Sequence, residues 1–434
     1  MSSHTDWFVH DRFGMFIHWG LYALPARHEW VMHNEQVAPE TYEKYFRQFN
    51  PDLHDPEAWA DAAAAAGMKY LVVTSKHHEG FCLWDSALTD YKAPNSPIGR
   101  DLLHPIIEAF RARGLKVGFY HSVIDWHHSD FLIDDLHPLR NHPDRDKLNE
   151  SRVFGRYVEY LHGQARELLT RFGKIDIMWY DFSYPKAEFR KVPGDRGKGR
   201  NEWRSEELLK MTRELQPGIL VNDRLDLSDV PGGWDFRTPE QYVPKDGVMV
   251  DGKPVLWEAC QTFSGSWGYH RDEASWKSVE QLVRMLVDNV SKGGNLLLNV
   301  GPTARGEFDY RAKERLAAMG AWMHAHSRAI YGCGRAPAQF RTPQDGRLTY
   351  NRATRRLYVH IFAWPFLHLH LEGMAAKVEY AQFLHDGSEV KMIERGPTDL
   401  PGSAPKGEEA GLLTLELPVR KPEVTVPVVE MVLK

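Results

Sequence analysis

The chain has 434 residues, too many for one average domain and about right for a large barrel plus a smaller module. Its net charge of -5 carries no basic excess, which argues against nucleic acid or an anionic membrane surface as partner. Hydrophobic residues at 42% and charged residues at 26% are ordinary for a soluble globular protein, and no run of about 18 apolar residues offers a membrane span.

The opening MSSHTDWFVHDRFG has neither a basic n-region nor an apolar h-region, so a cytoplasmic protein is expected. A periplasmic or secreted one follows if a signal peptide was removed. The cysteines, Cys82, Cys260 and Cys333, are odd in number and far apart, which predicts buried free thiols rather than a disulfide framework.

From residue 13 to about 300, short β-type runs alternate with helical patterns. The runs are FGMFIHWG (13–20), KYLVVTSKHH (69–78), KVGFYHSV (116–123), IDIMWYDF (175–182), ILVND (219–223), VLWEACQ (255–261) and GNLLLNVG (294–301). Helical spacing of apolar residues marks 56–67, 102–114, 153–173, 206–218 and 278–294, and glycine closes or follows nearly all of them as a C-cap. Strict alternation means parallel strands with right-handed crossovers. Seven runs fit a (β/α)8-like TIM barrel with one strand unassigned. A doubly wound open sheet is the alternative, but the first strand is followed by no G-x-G-x-x-G turn.

Beyond about residue 340 the pattern changes. RRLYVHIFAW (355–364), LHLHLEG (367–373), KVEYAQFL (377–384), GLLTLELP (411–418) and EVTVPVVEMVLK (423–434) alternate with period two and have no helix between them. They predict a C-terminal antiparallel β-sandwich, giving a barrel over 1–338 and a sandwich over 339–434. His368 and His370 read as a solvated strand face rather than a metal pair. The polar connection 186–207 is open to two readings, a solvated loop or a flap over a pocket.

In a parallel barrel the C-terminal strand ends converge on one face and build the site. Those ends carry His18-Trp19, His77-His78-Glu79, Tyr120-His121 with Asp125-Trp126 beyond, Asp181, Asp223-Arg224 and Glu258, while Glu240 lies in WDFRTPEQY (234–242). One such residue is unremarkable; six strands ending this way point to a site. Adjacent residues on a strand face opposite ways, so His77 and His78 are not expected to share an ion, and no metal is expected. No G-x-S-x-G elbow supports a serine nucleophile. Two carboxyl groups acting on a glycosidic bond fit better. Asp181, short and set among aromatics on a fixed strand, suits the nucleophile, and Arg224 is expected to lower its pKa. Glu240 and Glu258 both remain candidates for the proton donor. Neutral His and Tyr groups would hold sugar hydroxyls.

GMFIHWG (14–20), Glu29-Trp30, TSKHHEGFCLW (74–84), GFYHSVIDW (118–126), MWYDF (178–182), VNDR (221–224), SWGY (266–269) and GGNLLLNVGP (293–302) resemble, in order, the motif series of the retaining α-L-fucosidases of glycoside hydrolase family 29. The resemblance runs from about residue 7 to 330 and more loosely into the C-terminal sandwich. It implies Asp181 as nucleophile, with His18, His77, His78 and Tyr120 on the fucose hydroxyls and ring, and Glu29 and Trp30 beside them. It implies Arg224 next to the catalytic carboxylates and Trp267 near the sugar methyl group. The segment 234–240 is similar to the acid/base segment of some bacterial members, favouring Glu240 over Glu258, although 225–233 is longer than in those members. The expected partner is a fucosylated oligosaccharide or glycoconjugate, with no cofactor; a homo-oligomer is compatible. The rival readings are an inactive fucose-binding, lectin-like protein and a metal-dependent barrel hydrolase.

Overall fold

A computed structural model describes residues 4–185, 197–395 and 411–434. Its parallel sheet is built from β1 (Phe13–Ile17), β2 (Tyr70–Lys76), β3 (Lys116–Ser122), β4 (Ile177–Asp181) and β5 (Leu220–Val221). After a short hairpin of β6 (Met249–Val250) and β7 (Lys253–Pro254), β8 (Glu258–Thr262) and β9 (Asn295–Val300) complete it. Among the described residues the order is β5-β4-β3-β2-β1-β9-β8, all pairs parallel.

Period two sorts the side chains of each strand. Phe16, Tyr70, Val72, Tyr120, Ile177, Trp179, Leu220, Cys260 and Leu297 point inward and pack on one another with Phe8 and Phe236. Met15, Ile17, Leu71, Val73, Met178, Leu296 and Leu298 point outward into the layer shared with the surrounding helices. The helix Pro56–Ala65 starts on Asp55, which caps the Ala58 N–H, and Val279–Ser291 starts on a Ser278/Gln281 capping box. Burying the apolar stripes of such helices, at roughly 25 cal/mol per Å² of apolar surface, is what holds the outer ring to the sheet.

The strand unassigned in the sequence is an irregular extended segment at 235–241. Asp235 N–H donates to Val221 O at 2.8 Å, Arg237 N–H to Leu256 O at 2.9 Å and Gln241 N–H to Cys260 O at 3.0 Å. Glu258 N–H and Cys260 N–H return bonds to Arg237 O and Pro239 O. The segment thus closes the gap between β5 and β8, and Pro239, which lacks a donor, breaks its ladder.

The second module has strands β10 (Cys333–Arg335), β11 (Gly346–Asn351), β12 (Arg356–Ile361), β13 (His368–Leu371), β14 (Val378–Phe383), β15 (Lys391–Arg395), β16 (Leu412–Glu416) and β17 (Val428–Leu433). Antiparallel sheets in the orders β10-β11-β12-β17-β14 and β13-β16-β15 face each other across a core of Leu357, Val359, Leu371, Val378, Leu413, Leu415 and Met431. The strands β10, β11 and β15 carry too little alternation to be read in the sequence, and the sheet accordingly begins at Cys333 rather than past residue 338. The module seats on the barrel through Trp322 Nε1 to Val426 O at 2.9 Å and Arg12 Nε to Cys333 O at 2.8 Å.

Candidate active site

The inward alternation of β4 is Ile177, Trp179, Asp181, so the strand ends with its carboxylate at the barrel mouth. Asp181 is 7% exposed. Tyr120 Oη donates to its Oδ2 at 2.7 Å and Arg224 Nη1 to its Oδ1 at 2.9 Å. Immediately after it, Phe182 takes φ 86°, a left-handed conformation costing about 1–3 kcal/mol in a non-glycine residue. That sharp turn lays the Phe182 ring against Trp30 and His78, with centroids 5.3 and 5.2 Å away.

The guanidinium of Arg224 bridges two carboxylates. Its Nη2 reaches Glu240 Oε2 at 2.8 Å while Nη1 holds Asp181. The Glu240 side chain is 43% exposed, at the rim, in contrast to Asp181 at the base. Arg224 also lies over the Trp179 indole, 4.5 Å from its centroid, and donates from Nε to Thr238 Oγ1 at 3.0 Å. Contrary to the sequence expectation, the Asp181 pKa is raised: burial outweighs Arg224, and Glu240 adds to the rise.

The cavity between these groups measures about 360 Å³ including its mouth. His18, Trp30, His77, His78, Tyr120, Asp181, Arg224, Glu240 and Trp267 all border it, together with Phe16, Trp179, Phe182 and Cys260. The latter four were not among the expected site residues, yet alternation could have found two. Phe16 lies two residues before His18, and Trp179 two before Asp181.

His77 and His78 require a correction. The strand β2 stops at Lys76 after a register shift, so the two residues leave the pleat, and both rings face the cavity with centroids 4.0 Å apart. Among the described residues no group of three or more His, Cys, Asp or Glu could hold a metal ion. Burial lowers the His18 pKa to about 3 and pushes His77 and His78 well below the usual range, so the cleft imidazoles are neutral. Ser122 donates its hydroxyl proton to Ile124 O, so the 2.6 Å contact from His78 Nδ1 to Ser122 Oγ is donated by the ring. That leaves His78 Nε2 as an acceptor. His18 Nδ1 is likewise committed to Asn299 Oδ1 at 2.7 Å.

Glu29 lies behind the wall rather than in it. Buried, it accepts the Trp267 and Gly268 N–H groups at 3.1 and 2.8 Å and so fixes the loop that presents Trp267. The indole of Trp267 stands 5.1 Å from the His18 ring. Glu258 is at the other end of the barrel. It opens β8 opposite Asn295, and Tyr70 Oη donates to it at 2.5 Å beneath the cleft floor. Of the remaining strand-end residues, Glu79 accepts Leu21 N–H and Tyr42 Oη, Asp125 pairs with Lys76 at 3.1 Å, and His121 contacts Ser75. All three turn away from the cavity. The connection expected at 186–207 lies outside the described residues from 186 to 196. His370 contacts Thr414 Oγ1 at 2.8 Å in the sandwich sheet.

A barrel mouth that offers two carboxyl groups on one cation, between indole faces and neutral imidazoles, is built for a sugar and its glycosidic bond. That makes the protein a barrel glycoside hydrolase. A family model described as alpha-L-fucosidase matches residues 2–328. The tissue alpha-L-fucosidase of Rattus norvegicus is 30% identical over 387 residues, 83% of this chain and 76% of its own. Alpha-L-fucosidase isoenzyme 1 from Paenibacillus thiaminolyticus superposes with a TM-score of 0.89 at 45% identity, covering 99% of each chain. A family 29 alpha-L-fucosidase from Bacteroides thetaiotaomicron, trapped as a covalent intermediate with 2-fluoro-fucosyl fluoride, superposes with a TM-score of 0.83 at 28% identity, covering 100% of this chain and 97% of its own. The chain belongs to the α-L-fucosidase family, glycoside hydrolase family 29.

Proposed function

We propose that the protein is an exo-acting, retaining α-L-fucosidase that releases terminal L-fucose from oligosaccharides or glycoconjugates by double displacement. The observation that carries this reading is the Arg224 guanidinium, which touches Asp181 at the cavity base and Glu240 at its rim. One carboxyl group is thus fixed below the sugar and the other stands where a leaving group departs. Asp181 attacks the anomeric carbon and forms a fucosyl ester while Glu240 gives its proton to the departing oxygen. Glu240 then takes a proton from water, which attacks the anomeric carbon, displaces Asp181 and restores the original configuration. His18, His77, His78 and Tyr120 accept or donate to the fucose hydroxyls. Trp30 flanks the ring, and Trp267 gives the 6-methyl group an apolar wall where galactose would present CH2OH. Glu29 serves the same site by holding the Trp267 loop. A cavity closed at its base, where Asp181 is buried, with Glu240 at its rim, favours one terminal sugar over an internal one.

The test is to incubate the protein with 2-fluoro-fucosyl fluoride and map the adduct by peptide mass spectrometry. Label on Asp181 and a product of retained configuration by NMR are expected. Label elsewhere, or an inverted product, would overturn the assignment.

A further inference from the structure

Glu258 has no part in that reaction, yet its carboxyl lies beneath the cleft floor and meets the Trp179 indole. Fully buried, it receives Tyr70 Oη on Oε2. The Tyr70 ring has room there because residue 14 is glycine; a Cβ would stand 2.3 Å from the ring. The second oxygen, Oε1, is buried without a hydrogen bond at ordinary geometry, and so is Trp179 Nε1. The two are a complementary acceptor and donor, close enough for the indole to act on the carboxyl as a donor.

Both donors to Asp181 pack against the same indole. Arg224 lies 4.5 Å from its centroid, and the Tyr120 ring stacks on it at 5.7 Å and 23°. A tilt of the indole therefore displaces both groups that orient the nucleophile. We propose that Glu258 is a positioning residue, which fixes the plane of Trp179 from beneath and through it the Arg224 and Tyr120 donors to Asp181. This rests on the fucosidase reading above. Burial pushes the Glu258 carboxyl up to about 8, with Tyr70 and Trp179 pulling the other way. Its ionisation strengthens the pull on the indole N–H, so the rate should bend near that pH without any titrating group touching substrate.

The experiment measures kcat and KM on p-nitrophenyl α-L-fucoside from about pH 5 to about pH 9. The proteins are wild type, Glu258→Leu, Glu258→Gln, Trp179→Phe and the Trp179→Phe/Glu258→Leu double variant. Glu258→Leu should lower kcat about tenfold with KM little changed. Glu258→Gln, which keeps one acceptor oxygen and cannot ionise, should recover most of the rate and lose the bend near pH 8. With the indole N–H already removed by Trp179→Phe, Glu258→Leu should cost much less than it does alone. Equal costs in both backgrounds, or a folded Glu258→Leu within about twofold of wild type, would overturn the proposal. If circular dichroism shows Glu258→Leu unfolded, Glu258→Gln and Tyr70→Phe decide. A bend near pH 8 that survives both overturns it, and its loss supports it. A wild type inert both on this substrate and on fucosylated oligosaccharides would sink the fucosidase reading alone. Quenching of tryptophan fluorescence by L-fucose across the same variants then tests Glu258.

Discussion

Two groups of histidines invite comparison. His18, His77 and His78 stand at the barrel mouth, with ring centroids 5.6 Å apart for His18–His77 and 4.0 Å for His77–His78. His326, His360 and His385 sit where the helix Tyr310–His326 meets the sandwich; His326 stacks on Trp322 at 4.8 Å and lies 6.4 Å from His385. Burial depresses His18, His77 and His78 at the mouth and His326 and His360 at the junction, to about 3 for His18 and His360 and about 4 for His326. A low pKa is thus a consequence of low dielectric and does not by itself mark function. What separates the two is company. The first group borders a cavity and converges on Asp181, Arg224 and Glu240. The second meets Trp322, Thr349 and other histidines.

The sharpest way to break that comparison is to remove one group from each side. Asp181→Ala should lower kcat by on the order of 10⁴-fold while the thermal midpoint stays within a few degrees, because it deletes a buried carboxyl rather than a packing element. His360→Ala should do the opposite, keeping the rate and losing stability. A Asp181→Ala protein with substantial turnover would make the mouth no more special than the junction. Next in size is Glu240→Gln, measured on a fucosylated oligosaccharide beside an aryl fucoside. If Glu240 is the proton donor, its loss should cost about 10²–10⁴-fold on the sugar leaving group. The aryl leaving group, which needs less protonation, should suffer less in the first step, and added azide should restore part of the turnover. Equal losses on both substrates, without rescue, would remove Glu240 from the proton-donor role.

Most of the barrel was legible because alternation and helical spacing are properties of the chain itself. The same alternation placed Asp181, His18 and Tyr120 on the inner face. What it could not give depended on departures from the pleat. The segment 235–241 has no strand pattern, since Pro239 interrupts its ladder, so the closing strand and the position of Glu240 were both hidden. His77 and His78 looked opposed only as long as β2 was taken to run through them. Glu258 looked like a strand-end group because its run was read to 261; β8 begins on it, which puts it at the opposite end of the barrel from Asp181. Glu29 and Trp30 are neighbours in sequence, yet one supports a loop from behind and the other borders the cavity. The sandwich strands with little alternation, β10, β11 and β15, were hidden as well.

The smallest expected effect concerns pH, and it is read in stability instead of rate. An unfolded histidine takes up a proton near pH 6.5, whereas His360 and His137 resist until about 3, and His326 and His54 until about 4. Between those limits the unfolded state binds more protons than the folded one, so stability rises with pH and is lost as pH falls from 6.5 toward 4. A depression of about three units corresponds to roughly 4 kcal/mol per group once the whole window has been crossed, and only part of that is spent by pH 5. The buried Asp125 and Asp134, whose pKa values are lowered by Lys76 and Lys198 against the opposing effect of burial, add losses of the same sign at lower pH. The thermal midpoint should therefore fall steadily from about pH 7 to about pH 4, and His360→Gln should flatten the upper part of that fall. Saturating L-fucose should raise the midpoint at every pH by mass action but leave the His360 contribution unchanged, because the junction histidines touch nothing in the cleft. A midpoint that is level across this range, or a His360→Gln profile identical to wild type, would mean that the junction is open to protons and that the two groups differ less than their surroundings imply.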